Sequence, residues 1–144
     1  NTNGRAKMVN SRKIEDLQLI VAAKCRAFIA ACAANGIDAL ITSTYRDAES
    51  QNVLYAQGRT TPGKKVTNVR GGDSFHNHRC AFDFVPLVNG KAVWGDAALW
   101  ERCGAIAESV GLEWGGRWKK FPDKPHCQDT GGLTIAQYKA GMQP

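Results

Sequence analysis

The sequence predicts an α+β domain: a small antiparallel sheet packed with about three main helices, with a cleft on the sheet. Three observations carry the architecture. Apolar residues recur at helical spacing over residues 14–32 and again over 99–110. Short apolar runs at 39–43, 82–87 and 112–114 have the length of strands. Asn89-Gly90, set between two such runs, is a hairpin turn that joins antiparallel neighbours.

In chain order, Ser11 is a candidate N-cap, with Glu15 and Asp16 placed to favour the positive end of a helix. Ile14, Leu17, Val21, Cys25, Phe28 and Cys32 then form one apolar stripe, and Asn35-Gly36 ends it. Residues 39–43 read as a short buried strand. Residues 47–57 read as a second helix stopped by Gly58. Arg46, at the junction between them, either points into a cleft or pairs with Asp47 or Glu49. Residues 58–73 hold four glycines, a proline and the cations Arg59, Lys64, Lys65 and Arg70. A connection of that length is functional or disordered, and it reads here as a basic loop over the cleft.

Residues 82–87 look buried on both faces, with 91–94 as the return strand of the hairpin. Asp96 caps a third helix with Leu99, Trp100, Cys103, Ile106 and Val110 inward, closed by Gly111. Residues 112–114 begin another strand, broken by Gly115-Gly116. Residues 126–128 form a last short strand, and Thr134 caps a final helical turn.

At 144 residues the chain fits one domain, read as a single catalytic unit over 8–144, with 1–7 a tag, linker or disordered extension. There is no apolar run of membrane-spanning length and no signal-peptide core. Membrane insertion is therefore not expected, and the reading is synthesis in the cytoplasm and release by a separate membrane lesion or by lysis. Five cysteines cannot all pair internally, which suits a reducing compartment. The net charge of +6 suits an anionic partner. The cations are spread along the chain without a base-stacking or groove-reading pattern, so no nucleic-acid partner is expected.

Chemistry concentrates in residues 74–83 and 123–126. The first stretch holds two of the three histidines and a carboxylate, and the second is Asp123-Lys124-Pro125-His126. A His, a carboxylate and a distant His form a facial set of N/O ligands for zinc that leaves a position open for water. The spare carboxylate beside the third ligand can then act as a general base. His76 and Asp83 are seven residues apart, which on one straight strand would put them on opposite faces. A bend must separate them if both bind one metal, with the strand starting near Cys80. Cys80 and Cys127 stand beside the site as alternative ligands or as packing. A closed zinc site serving only the fold is the bland alternative.

Ser74-x-His76-x-x-Arg79-x-Ala81-x-Asp83 resembles the S-x-H-x-x-G-x-A-x-D signature of the VanY/VanX-type zinc peptidases that cut peptidoglycan peptides. Asp123-x-x-His126 is similar to their second signature, and residues 42–46 with Gln51 to the arm bearing the family's arginine. Residues 54–60 and 113–116 look more specifically like the L-alanyl-D-glutamate endopeptidases of phage endolysins. The resemblance implies one zinc per chain on His76, Asp83 and His126, with Asp123 as the catalytic carboxylate and Arg46 steadying the oxyanion. Ser74 and Gln51 become substrate or supporting contacts, and the implied substrate is bacterial peptidoglycan, attacked by a monomer. The alternatives are a D,D-carboxypeptidase with the same ligands or a non-catalytic basic wall or nucleic-acid binder. Arg79 departs from the pattern by standing where the family has Gly, and His78 is a competing ligand.

Overall fold

The structure, a computed structural model, describes residues 8–144. The extension read at 1–7 lies outside the described residues. Helices α1 (Leu19–Ala34), α2 (Ala48–Ala56), α3 (Ala97–Ser109) and α4 (Ile135–Lys139) accompany strands β1 (Asp38–Ser43), β2 (Ala81–Val88), β3 (Lys91–Ala92), β4 (Glu113–Trp114) and β5 (His126–Gln128). The sheet runs β1-β2-β5-β4, with β3 folded onto the end of β2, and each pairing is antiparallel. No helix among the described residues is long and apolar enough to cross a membrane.

The first helix starts later than its stripe suggests. Residues 14–16 make one 3-10 turn, and α1 begins at Leu19. Ser11 caps nothing because its backbone is committed elsewhere: its N–H donates to the Tyr45 carbonyl, and its carbonyl accepts from the Thr44 N–H, each at 2.7 Å. The segment is held beside the end of β1 as an extended chain. The stripe itself points inward as its spacing requires, with Leu17, Val21, Cys25, Phe28 and Cys32 buried. Gly36, at φ 74°, turns the chain out of the helix.

β1 alternates, burying Ala39 and Ile41 and exposing Leu40, so it is covered on one face only. β2 is the central strand and is buried through most of its length. Asn89 (φ 52°) and Gly90 (φ 76°) supply the two positive φ values of the tight hairpin. Phe28 from α1 packs edge-on against Phe84 of β2, with ring centroids 4.8 Å apart, and Phe84 meets Trp100 of α3 at 5.2 Å. Two helices thus close one face of the sheet. α3 comes near enough to Trp114 that a side chain at Gly104 would overlap the indole ring, so glycine is required there. All five cysteines are free and buried in this core.

Candidate metal centre

Strand register brings the polar row together. Asp83 of β2 lies directly opposite His126 of β5, and on its other side opposite Ser43 of β1. His76 enters from outside the sheet, on a 3-10 turn at Phe75–His78. Ser74 caps that turn by accepting from the His76 N–H, while the Asn77 side chain accepts from the Ser74 N–H and donates to the Arg46 carbonyl. Arg79 then adopts φ 64°, ψ 24°, and this left-handed residue is the bend that lets His76 and Asp83 face one point. It is stacked on Tyr45 at 3.8 Å and donates to the Asp16 carbonyl at 2.9 Å.

His76 Nε2 lies 3.3 Å from Asp83 Oδ1, and His126 Nδ1 lies 3.6 Å from the same oxygen. One donor atom from each of the three residues falls within 4.8 Å of the others. The protons are fixed by partners that can only accept. His76 Nδ1 sits 2.8 Å from the Thr44 carbonyl, so Nδ1 carries a hydrogen and Nε2 is the nitrogen turned to the site. His126 Nε2 sits 2.7 Å from Gln128 Oε1, so Nδ1 is the free nitrogen. The Gln128 amide is oriented in turn by donating to Glu113 Oε1. His76 Nε2, His126 Nδ1 and one carboxylate oxygen are therefore aimed at one spot. With metal–ligand bonds of about 2.0–2.1 Å, the edge of a tetrahedral site is about 3.4 Å, and the observed 3.3 and 3.6 Å separations fit it.

Asp123 stands apart from this set. Its Oδ2 is 3.9 Å from His126 Nδ1, and its side chain is 49% exposed at the mouth of the cleft. Burial by the surrounding protein still pushes its carboxyl above the ordinary carboxylate range; the Asp83 charge adds to the rise, and His126, His76 and Arg46 oppose it. Its loop is pinned from behind. The Asp123 N–H donates to the Gly115 carbonyl at 2.9 Å and the Trp114 indole N–H to the Lys124 carbonyl at 2.7 Å. A Cβ on Gly115 would lie 2.5 Å from the Asp123 carbonyl oxygen, so Gly115 sets how near the loop can come to the sheet.

Arg46 reaches the cleft rather than the surface. Its guanidinium donates to Gln51 Oε1 and Ser43 Oγ, with Asp83 3.8 Å away, while its buried Nε–H has no partner among the described residues. Gln51 is buried, and its own amide donates to Thr67 and to the Val69 carbonyl. It holds the arginine and ties α2 to the loop over 58–73. Ser74 lines the cleft, a cavity of about 750 Å³ that also takes in Arg46, His76, Asp83, Asp123 and His126. Leu54, Val66 and Val69 form one wall and Trp118, Phe121 and Pro122 another. His78 points away, bonded to the Gly72 carbonyl and stacked on Tyr138. Cys80 and Cys127 are buried packing outside the metal-capable group. Glu113, Gln128, Asn77 and Thr44 carry supporting bonds that spacing does not reveal, because each acts through pairing between distant segments.

A sequence profile described as D-alanyl-D-alanine carboxypeptidase matches residues 67–129. The chain is 40% identical over 122 residues to the peptidoglycan L-alanyl-D-glutamate endopeptidase CwlK of Bacillus subtilis, covering 78% of this chain and 73% of that protein. It is 36% identical over 97 residues to the L-alanyl-D-glutamate peptidase of Listeria phage A118, a match that spans 65% of this chain and 31% of the phage protein. Among solved structures, the L-Ala D-Glu endopeptidase ChiX of Serratia marcescens superposes with a TM-score of 0.62 at 19% identity, over 88% of this chain and 86% of that one. That last likeness speaks to the fold.

Proposed function

This chain belongs to the peptidase M15 family, and from that premise we propose that it is a zinc-dependent endopeptidase cutting the L-Ala–D-Glu amide of peptidoglycan stem peptides. M15 peptidases are metal-dependent, and the observation that carries the reading here is the convergence of His76, Asp83 and His126 beside a carboxylate left over for proton transfer. The named activity of the 40% identical relative supplies the bond.

A zinc ion on the three donors would supply a Lewis acid and bring the pKa of a water down towards roughly 7. The chain's own groups divide the remaining work. Asp123, with its raised affinity for a proton, accepts one from the attacking water and delivers it to the departing amine. Arg46 turns its guanidinium to the site, 3.8 Å from Asp83, and donates to the carbonyl oxygen as that oxygen gains charge. Gln51 and Ser43 keep the guanidinium from turning away. The apolar walls of the cleft hold the stem so that the amide meets these groups in register.

The test is a digest of purified peptidoglycan, with zinc and with chelator, read by mass spectrometry. Zinc-dependent appearance of peptides beginning with D-Glu is the expected result. Release of free D-Ala alone would instead support the carboxypeptidase activity in the profile's description, and no release with zinc-loaded protein would support a non-catalytic wall binder.

A further inference from the structure

Beyond the cleft, a second pocket of about 300 Å³ is lined by Trp94, Trp100, Pro122, Asp123, Lys124 and Pro125. Pro122, Asp123 and Pro125 line both depressions. One loop is therefore their common wall, and Asp123 borders each. The second pocket is aromatic and shaped in advance. Trp94 is 60% exposed and lies 5.9 Å from the buried Trp100 ring, inclined by 36°. The Trp100 indole N–H is consumed by the Trp94 carbonyl at 3.0 Å, which fixes the segment through its backbone rather than through the Trp94 side chain. The opposite wall is held by the bonds from Trp114 to Lys124 and from Asp123 to Gly115.

An exposed indole face bordered by a carboxylate and an ammonium is a surface for a pyranose ring. The ring's C–H groups meet the negative face of the indole, and its hydroxyl and acetamido groups meet the polar rim. The position matters as much as the chemistry. If the scissile bond is L-Ala–D-Glu, only one amino acid separates the attacked carbonyl from the lactyl group of the sugar. Two chain units span at most about 7 Å, so the sugar must rest on a surface next to the group that works on that carbonyl. The Trp94 pocket borders the cleft through Asp123, which lines both.

Resting on the endopeptidase reading above, we propose that the Trp94–Trp100 pocket binds the N-acetylmuramic acid residue that carries the stem peptide. The enzyme then recognises a glycan-linked stem rather than a free peptide, and Trp94 is a specificity-determining residue.

The experiment compares kcat/KM for two soluble substrates, a disaccharide-linked stem peptide and the same peptide without sugar. The wild type should prefer the first. Trp94→Ala should shrink that preference by about tenfold, chiefly through KM for the linked substrate, and Trp94→Tyr should restore much of it. Using the ratio removes any general loss of folding or catalysis. An unchanged ratio in Trp94→Ala overturns the proposal. So does a ratio that collapses in Phe121→Ala instead, which would put the sugar on the 73% exposed aromatic ring inside the main cleft. A separate titration of the metal-free protein with the N-acetylglucosaminyl-N-acetylmuramic acid disaccharide, read by isothermal calorimetry, tests the pocket without cleavage. A saturable change that Trp94→Ala abolishes supports the pocket even if neither substrate is cut, a result that would count against the endopeptidase reading alone. No change in the wild type counts against the pocket alone.

Discussion

The two sides of the cleft are built by different means. The ligand side rests on the sheet: Asp83 and His126 are neighbours because β2 and β5 pair in that register, and each imidazole is locked by a backbone or amide oxygen. The working side rests on a loop: Asp123 is held by one backbone bond to Gly115 and by an indole bond to the next residue. A one-residue slip between β2 and β5 would turn His126 away from Asp83, so this part of the ligand side is all-or-nothing, and His76 joins it from its 3-10 turn. The loop can shift by fractions of an ångström, which changes rate without unfolding the protein. In the proposed mechanism, holding the metal and moving the proton are thus separable, and substitutions should separate them.

The largest effect belongs to the ligand side. Asp83→Ala removes the one oxygen that both imidazoles face, and activity should fall to background together with bound metal. Chelation of the wild type should lower its melting temperature, because a ligand that binds only the folded chain stabilises it by mass action. Metal analysis and thermal melts on one preparation check both. Full zinc content in the Asp83→Ala protein would mean that these three residues are not the ligands.

Asp123→Asn tests the other side of the comparison. The variant should keep its metal and its melting temperature while losing on the order of 10²–10⁴-fold in turnover, the usual contribution of a general acid–base. Near wild-type hydrolysis by a zinc-loaded preparation would remove Asp123 from the mechanism and leave it as a surface carboxylate among Lys119, Lys120 and Lys124. Loss of metal would instead make it a fourth ligand and erase the distinction between the two sides.

Between these lies Gln128→Ala. It leaves all three donors in place but frees the His126 ring, whose Nε2 hydrogen loses its acceptor. Partners of this kind typically contribute 10–100-fold in metal affinity or activity. A competition titration for zinc should show a loss in that range, and an unchanged affinity would mean that strand pairing alone orients the imidazole.

How far the sequence foretold these two sides follows from their construction. Helices, the Asn89-Gly90 hairpin and the inward stripe are local, and local spacing reports them. The metal-capable group was legible as well, since the chain has only three histidines and they fall in the two short stretches that meet in the fold. What spacing could not show is Gln128 and Glu113, whose task arises only when β5 pairs with β4. Nor could it show Gly115, which matters because a distant carbonyl rests where its Cβ would be. The start of α1 was misread for the same reason, because Ser11 is claimed by Tyr45 and Thr44, over thirty residues away. Arg79 was legible in a different way: it stands where the signature has glycine, the residue suited to a left-handed backbone, and φ there is 64°.

Arg79 gives the smallest effect and the sharpest test of how the ligand side tolerates strain. A left-handed conformation costs a residue with a Cβ about 1–2 kcal/mol. Two contacts offset it here, the stack on Tyr45 and the bond to the Asp16 carbonyl, each worth on the order of 1 kcal/mol or less. Arg79→Ala keeps the Cβ and loses both contacts, so it should be destabilised by about 1–2 kcal/mol. Arg79→Gly loses the same contacts and removes the steric penalty, although the greater freedom of glycine in the unfolded chain takes back about 0.5–1 kcal/mol. The expected order of melting temperature is Arg79, then Gly, then Ala, with Gly and Ala separated by a few degrees at roughly 4 °C per kcal/mol for a chain of this size. Zinc affinity should stay nearly constant through the series, since His76 remains held by Thr44 and Ser74. If Ala melts with or above Gly, the left-handed backbone costs no more than the extra freedom of glycine in the unfolded chain, and the arginine is kept for its contacts. If zinc affinity falls in step with stability, the turn that carries His76 is set by Arg79, and the ligand side depends on a loop after all.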